Sequence, residues 1–222
     1  MTEKDPSNQT ASVGRPARIT RDDIAATALE IGLDKVTLSA IGSALGVDHS
    51  SLYRHIKNRD DILIAAADLA VSQADWYIKT NNWRAFIVHV AEVSWALYRR
   101  YPGLATIIRR MDSMPPSILR VFAQSCRELE QFGFSLADAA LLVDSVLDMT
   151  SDSSLGWEHM AEPIKDGMTV AQSLQASLDE LAKETPDLAH HVEFIGEIIN
   201  SDPQNWWKRK LELLLDGAEK ML

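Results

Sequence analysis

An all-α fold is predicted by the helical apolar periodicity that runs from Thr20 onward, by Gly and Pro residues spaced so that they punctuate helices, and by the scarcity of strand-like alternation bounded by turns. At 222 residues and 46% hydrophobic content the chain can bury a sizeable core. No run approaches the ~20 consecutive apolar residues of a membrane span, and Met1 to Gly14 is polar, without a signal-peptide core. A cytoplasmic protein with no membrane partner is therefore expected. The single cysteine, Cys126, excludes an internal disulfide framework and reads as buried filler.

Residues 1–13 mix Thr, Ser, Asn, Gln, Pro and charges without periodicity and are read as a disordered tail. Thr20 with Asp23 three residues on is a capping-box start, Ile24, Ala28 and Ile31 mark one apolar face, and Gly32 ends the helix. A second short helix follows Thr37, with Leu38, Ile41 and Leu45 inward, and stops at Gly46. Asp48 caps a third helix running to about His55, and Asn58 with Asp61 repeats the cap signature for a longer one. Further helices are predicted over 82–100, 104–112, 115–132, 135–157, 168–183, 187–200 and 204–221. Pro102 with Gly103, Pro115 with Pro116, Gly133, Pro163, Pro186 and Pro203 supply the breaks. The expected division is a tail over 1–13, a small domain over 14–60 and a larger one over 61–222.

Thr37 to Lys57 reads as two short helices around a Gly46-Val47 turn. A helix-turn-helix needs small or apolar residues at the crossing and polar residues on the outer face of its second helix. Ala44, Leu45, Val47 and Leu52 suit the packing, and His49, Ser50, Tyr53 and Arg54 are left for a groove. A generic helical hairpin shows the same apolar pattern, so periodicity alone leaves DNA binding open. Charge is compatible with it: the net −10 falls outside residues 1–60, which hold eight basic and eight acidic side chains.

The segment T-L-S-A-I-G-S-A-L-G-V-D-H-S-S-L-Y-R-H-I-K-N-R-D-D-I-L resembles the signature of TetR-family transcriptional regulators. Y-P-G-L-A at Tyr101, E-L-E-Q-F-G-F-S at Glu128 and L-L-L-D-G at Leu213 are similar to the tetracycline-repressor-like C-terminal domain. The resemblance implies a three-helix DNA-binding head and a helical ligand-binding and dimerisation body. It implies that Thr37 binds phosphate, that Tyr53 and His55 contact the DNA backbone, and that Lys57 grips phosphate. His49, Ser50 and Arg54, with Ser51 beside them, are candidates for base edges, Arg54 being able to grip guanine bidentately. Ser39 stands where many family members carry a basic side chain, and Arg15 and Arg18 could compensate from an arm in the minor groove. A helical adaptor without DNA binding is the alternative.

Large side chains concentrate in the central helices, where the resemblance implies an enclosed effector, so the expected partners are a double-stranded DNA operator, a small-molecule effector and a second copy. Candidate ligand contacts are His89, Trp95, Tyr98, Met111, Phe122, Asp144, Asp148 and Trp157. Leu136, Ala140, Val143 and Leu147 form one apolar stripe, and Trp207, Leu211, Leu214 and Ala218 another. The resemblance implies that these two helices build a four-helix bundle between subunits. No H-E-x-x-H, Gly-rich phosphate loop, nucleophile elbow or zinc-spaced Cys/His cluster is present, so neither catalysis nor a cofactor is indicated.

Overall fold

The computed structural model describes residues 19–222. The tail over 1–13 and the arm residues Arg15 and Arg18 lie outside the described residues. The helices are α1 (Arg21–Ile31), α2 (Leu38–Ala44), α3 (Arg59–Ser72), α4 (Trp83–Arg100), α5 (Leu104–Arg110), α6 (Pro116–Gln131), α7 (Leu136–Met160), α8 (Val170–Glu184), α9 (Ala189–Asn200) and α10 (Pro203–Ala218). A 3-10 segment, His49–Arg54, joins α2 to α3. No β-sheet occurs among the described residues, and no described helix is long and apolar enough to cross a membrane.

Side-chain caps explain where the helices start. Thr20 and Asp23 make the reciprocal box before α1, and Thr169 and Gln172 make another before α8. Thr37, Asn58, Asn82 and Ser135 each accept a hydrogen bond from an amide that the following helix leaves unpaired. Gly103, left-handed at φ 85°, turns the chain sharply between α4 and α5. Its N–H donates to the Glu158 carboxylate at 3.2 Å, tying that turn to α7.

The third helix of the head differs from expectation, because it is six residues of 3-10 conformation rather than an α-helix. Its bonds span three residues, Ser51 N to Asp48 O at 2.9 Å and His55 N to Leu52 O at 2.8 Å. Local bonds pin its start: the Asp48 carboxylate accepts from Ser50 N, and the Ser51 hydroxyl donates to Asp48 O.

Two apolar cores result. The head core gathers Ile24, Ala28, Leu33, Ile41, Leu52, Ile56 and Ile62, and continues through α3 to Tyr98, Leu104 and Ala105 of α4 and α5. The expected boundary between residues 60 and 61 falls in the first turn of α3, a helix that packs on α1 as well as on α5 and α6. The body core gathers Phe86, Val90, Trp95, Leu129, Leu142, Val146, Trp207 and Leu215.

The apolar stripes expected at a dimer face are largely internal to the protomer. Val143, Trp207, Leu211 and Ala218 are 0, 0, 2 and 2% exposed, because α10 lies on α7 and both helices turn these residues into the body core. Ala140, Leu147 and Leu214 are half-buried at its edge, and only Leu136 of the expected set is exposed. Periodicity identifies an apolar face but not the neighbour that covers it.

Candidate nucleic-acid interface and ligand cavities

The start of α2 presents Thr37, whose hydroxyl oxygen accepts from Ala40 N at 3.1 Å while its O–H stays able to donate outward. Ser39 is exposed two residues on. Beyond the left-handed Gly46, the 3-10 segment is anchored by Leu52, 0% exposed against Ile41, also 0%. His49, Ser50, Tyr53 and Arg54 all face outward, with Tyr53 56% exposed.

Ala44, expected at the helix crossing, is exposed, and Gly42 occupies the crossing instead. A Cβ on Gly42 would stand 3.0 Å from the Val47 carbonyl oxygen and 3.2 Å from the His49 Cα and N. Ser51, expected to face DNA, is half-buried and commits its hydroxyl to the Asp48 carbonyl at 2.7 Å.

Charged side chains that sequence reasoning missed hold the exposed segment in place. The Arg21 guanidinium donates to the His55 carbonyl at 3.0 Å and pairs with the Asp61 carboxylate. Asp61 also accepts from Lys57 N at 2.8 Å, so the cap at Asn58 is one-sided rather than a box: Asn58 Oδ1 takes Asp61 N, but the carboxylate points elsewhere. The hydrogen bond from Arg21 above all, with that from the Lys57 amide and the neighbouring positive charges, holds the Asp61 carboxyl below its usual range. Arg59 donates to Val36 O at 2.8 Å and Leu33 O at 3.2 Å, fixing the loop between α1 and α2. Lys57 is exposed at the end of this assembly and His55 is half-buried in it.

In the body, a cavity of about 320 Å³ lies among α3 to α7, with Trp76, Tyr98, Arg109, Met111, Asp148 and Ser151 in its wall. A second, of about 490 Å³, lies where α4, α7 and the start of α10 meet, with Trp95, Tyr98, Arg99, Trp157 and Glu158 in its wall. The structure thus brings Trp95, Tyr98, Met111, Asp148 and Trp157 of the expected ligand contacts to these two spaces. His89, Phe122 and Asp144 line neither: His89 Nε2 is bonded to the Asp75 carbonyl at 2.8 Å, Phe122 packs against the body core, and Asp144 faces solvent. Burial, opposed by a hydrogen bond with Ser151 and reinforced by the Asp148 charge, pushes the Tyr98 hydroxyl up to about 12.

A third cleft, between head and body, is lined by Lys57, Asp61, Asp68, Asp112, Met114 and Pro115 among others. Met114 also lines the first cavity, and Asp68 of α3 caps the start of α6 by accepting from Ser117 N at 3.1 Å.

Two family profiles match the chain. "Bacterial regulatory proteins, tetR family" covers residues 22–66, and "Tetracyclin repressor-like, C-terminal domain" covers residues 79–222. The HTH-type transcriptional repressor Rv1353c of Mycobacterium tuberculosis is 25% identical over 206 residues, 88% of this chain and 77% of the relative. The repressor DrrR1 of Streptomyces coeruleorubidus is 25% identical over 183 residues, 76% of this chain and 67% of the relative. Among solved structures, the TetR family protein ActR of Streptomyces coelicolor in complex with actinorhodin superposes with a TM-score of 0.74 at 23% identity, covering 91% of this chain and 96% of that one. A possible TetR family regulator from Streptomyces coelicolor A3(2) gives a TM-score of 0.74 at 25% identity, over 91% and 100% of the two chains.

Proposed function

The chain belongs to the tetR family of bacterial regulatory proteins, and from that premise we infer that it is a ligand-responsive transcriptional repressor, released from a palindromic operator by a small-molecule effector. The observation that carries this reading is the segment His49–Arg54, polar side out on the fully buried anchor Leu52. The Thr37 hydroxyl, Tyr53, His55 and Lys57 position the head on phosphates, while His49, Ser50 and Arg54 meet base edges.

Tyr53→Ala and Lys57→Ala are each expected to weaken operator binding about tenfold, or ~1.4 kcal/mol, without lowering the thermal midpoint, since both side chains are exposed. Lys57→Ala also flattens the salt dependence by about one unit of slope. Shift assays on genomic fragments selected by the purified protein check this, and unchanged affinity in both variants defeats the assignment.

The effector occupies the body cavities, a reading supported by the small molecule named in the complex of ActR. The segment 111–115 separates the first cavity from the cleft beside Lys57, and Asp68 on Ser117 links α3 to α6. A ligand that displaces Met111 and Met114 therefore pushes on the root of the head.

A second copy docks on the face of α7 and α10 that the protomer leaves uncovered, where Leu136, Leu141 and Leu213 are 61, 53 and 76% exposed. Leu213→Glu is expected to give folded monomers, read by sedimentation velocity. An unaltered dimer would move the interface elsewhere.

A further inference from the structure

Gly103 and Pro115 stand just before α5 and α6, and neither has a side chain that can accept a hydrogen bond from the helix it precedes. Both helices are started from a distance instead. Glu158 of α7 accepts from Gly103 N at the start of α5. At α6 the first residue, Pro116, has no N–H, so Ser117 N is the first amide to need a partner. It donates to Asp68 Oδ1 of α3 at 3.1 Å, and the Ser117 hydroxyl, 3.1 Å from the Asp68 carbonyl, donates to the same carboxylate. Ser117 is buried and Asp68 half-buried. Among the described residues, no other hydrogen bond or ion pair joins residues 19–72 to α4–α10. The remainder of that joint is packing of Ala66, Ala67 and Ala70 of α3 near Leu104 and Ala105 of α5. Apolar packing is non-directional, so it holds α3 on the body without fixing its tilt, whereas the bonds to Asp68 are directional.

We propose that Asp68 is a positioning residue for operator binding: by capping α6 from α3 it fixes the stance of the reading head on the body, and with it the spacing of the two heads in a dimer. Asp68 itself touches no DNA. The affinity that a second half-site adds depends on how narrowly the linkage holds the second head in place. A head held by Asp68 meets its half-site already in register, whereas a head free to tilt must first be ordered. Loss of the cap therefore weakens binding of two half-sites together and leaves binding of one alone as it was. The inference rests on the reading of this chain as a dimeric operator-binding repressor.

Anisotropy titrations of the full-length chain test this on two duplexes: one taken from the genomic fragments that the protein selects, and the same duplex with one half-site scrambled. The quantity read is the ratio of the two affinities, because a change of charge near the DNA moves both alike. Asp68→Ala is expected to cut that ratio about tenfold, by weakening the intact operator while the single half-site stays within about twofold of wild type. Asp68→Asn, whose Oδ1 can accept both bonds, should restore the wild-type ratio. Ser117→Ala keeps the amide bond and loses only the hydroxyl, so it should cut the ratio about two- to fourfold with the fold intact. Equal losses on both duplexes in Asp68→Ala, an unchanged ratio in it or in Ser117→Ala, or an Asp68→Asn protein as impaired as Asp68→Ala overturns the positioning role. If Asp68→Ala does not fold, the ratios of Asp68→Asn and Ser117→Ala decide in the same way. Wild-type protein that prefers the intact operator while no variant moves the ratio removes this inference alone. Wild-type protein that binds neither duplex removes the repressor reading as well.

Discussion

Trp207→Ala is expected to lower the unfolding free energy by about 3–5 kcal/mol, the range for deleting a buried aromatic side chain. Trp207 has no exposed surface and stacks on Trp95 of α4 with an interplanar angle of 16°. Its Nε1 donates to Thr150 Oγ1 at 3.1 Å, and that hydroxyl donates in turn to Val146 O at 2.7 Å. One side chain therefore joins α4, α7 and α10, and removing it leaves a large void and a hydroxyl short of a partner. Chemical denaturation should show the full loss, with a thermal midpoint lower by roughly 10 °C. The change in free energy should not depend on protein concentration. A loss that grows on dilution would return Trp207 to a subunit interface.

Gly42→Val is expected to reduce operator affinity by more than about 100-fold, or ~2.7 kcal/mol, while the body stays folded. Gly42 has ordinary helical geometry, so backbone strain is not the reason; crowding is. Its absent Cβ would already touch the Val47 carbonyl and the His49 backbone, which cannot rotate away as a side chain could. Gly42→Ala sets a helix-propensity gain of about 1 kcal/mol against a shift of a few tenths of an ångström, and is the milder change. The added methyls of valine must lift the 3-10 segment off α2, moving Arg54 out of register with a base edge. Operator titration beside a thermal melt reads this directly, and near-normal affinity for Gly42→Val would show that the segment tolerates displacement.

Much of this was legible in the sequence. Helix starts followed from Thr20, Asp48 and Asn58, because capping is a local transaction between neighbours, and the outward residues His49, Tyr53 and Arg54 followed from the turn between two apolar faces. What failed depended on distant partners. Arg21 and Asp61 are 40 positions apart and Arg59 reaches the Val36 carbonyl 23 positions back, separations at which charge in a sequence gives no pairing signal. The stripe through Trp207 and Leu211 was correctly apolar, yet nothing in a 3.6-residue period says whether the same chain or another covers it. His89, Phe122 and Asp144 missed the cavities for the same reason. A single missing Cβ at Gly42, inside a helical run, also carries no local mark.

His49–Arg54 is expected to lie in the major groove, with Arg54 reading a base. Footprinting of wild-type protein and Arg54→Ala on selected genomic fragments tests it most directly. Paired protections are expected in successive major grooves, about 34–36 Å or a multiple of that apart. In Arg54→Ala, discrimination should relax at one guanine per half-site by about 1–3 kcal/mol while the remaining positions hold. Protections without that spacing, or a variant whose base preference equals that of the wild type, would contradict it.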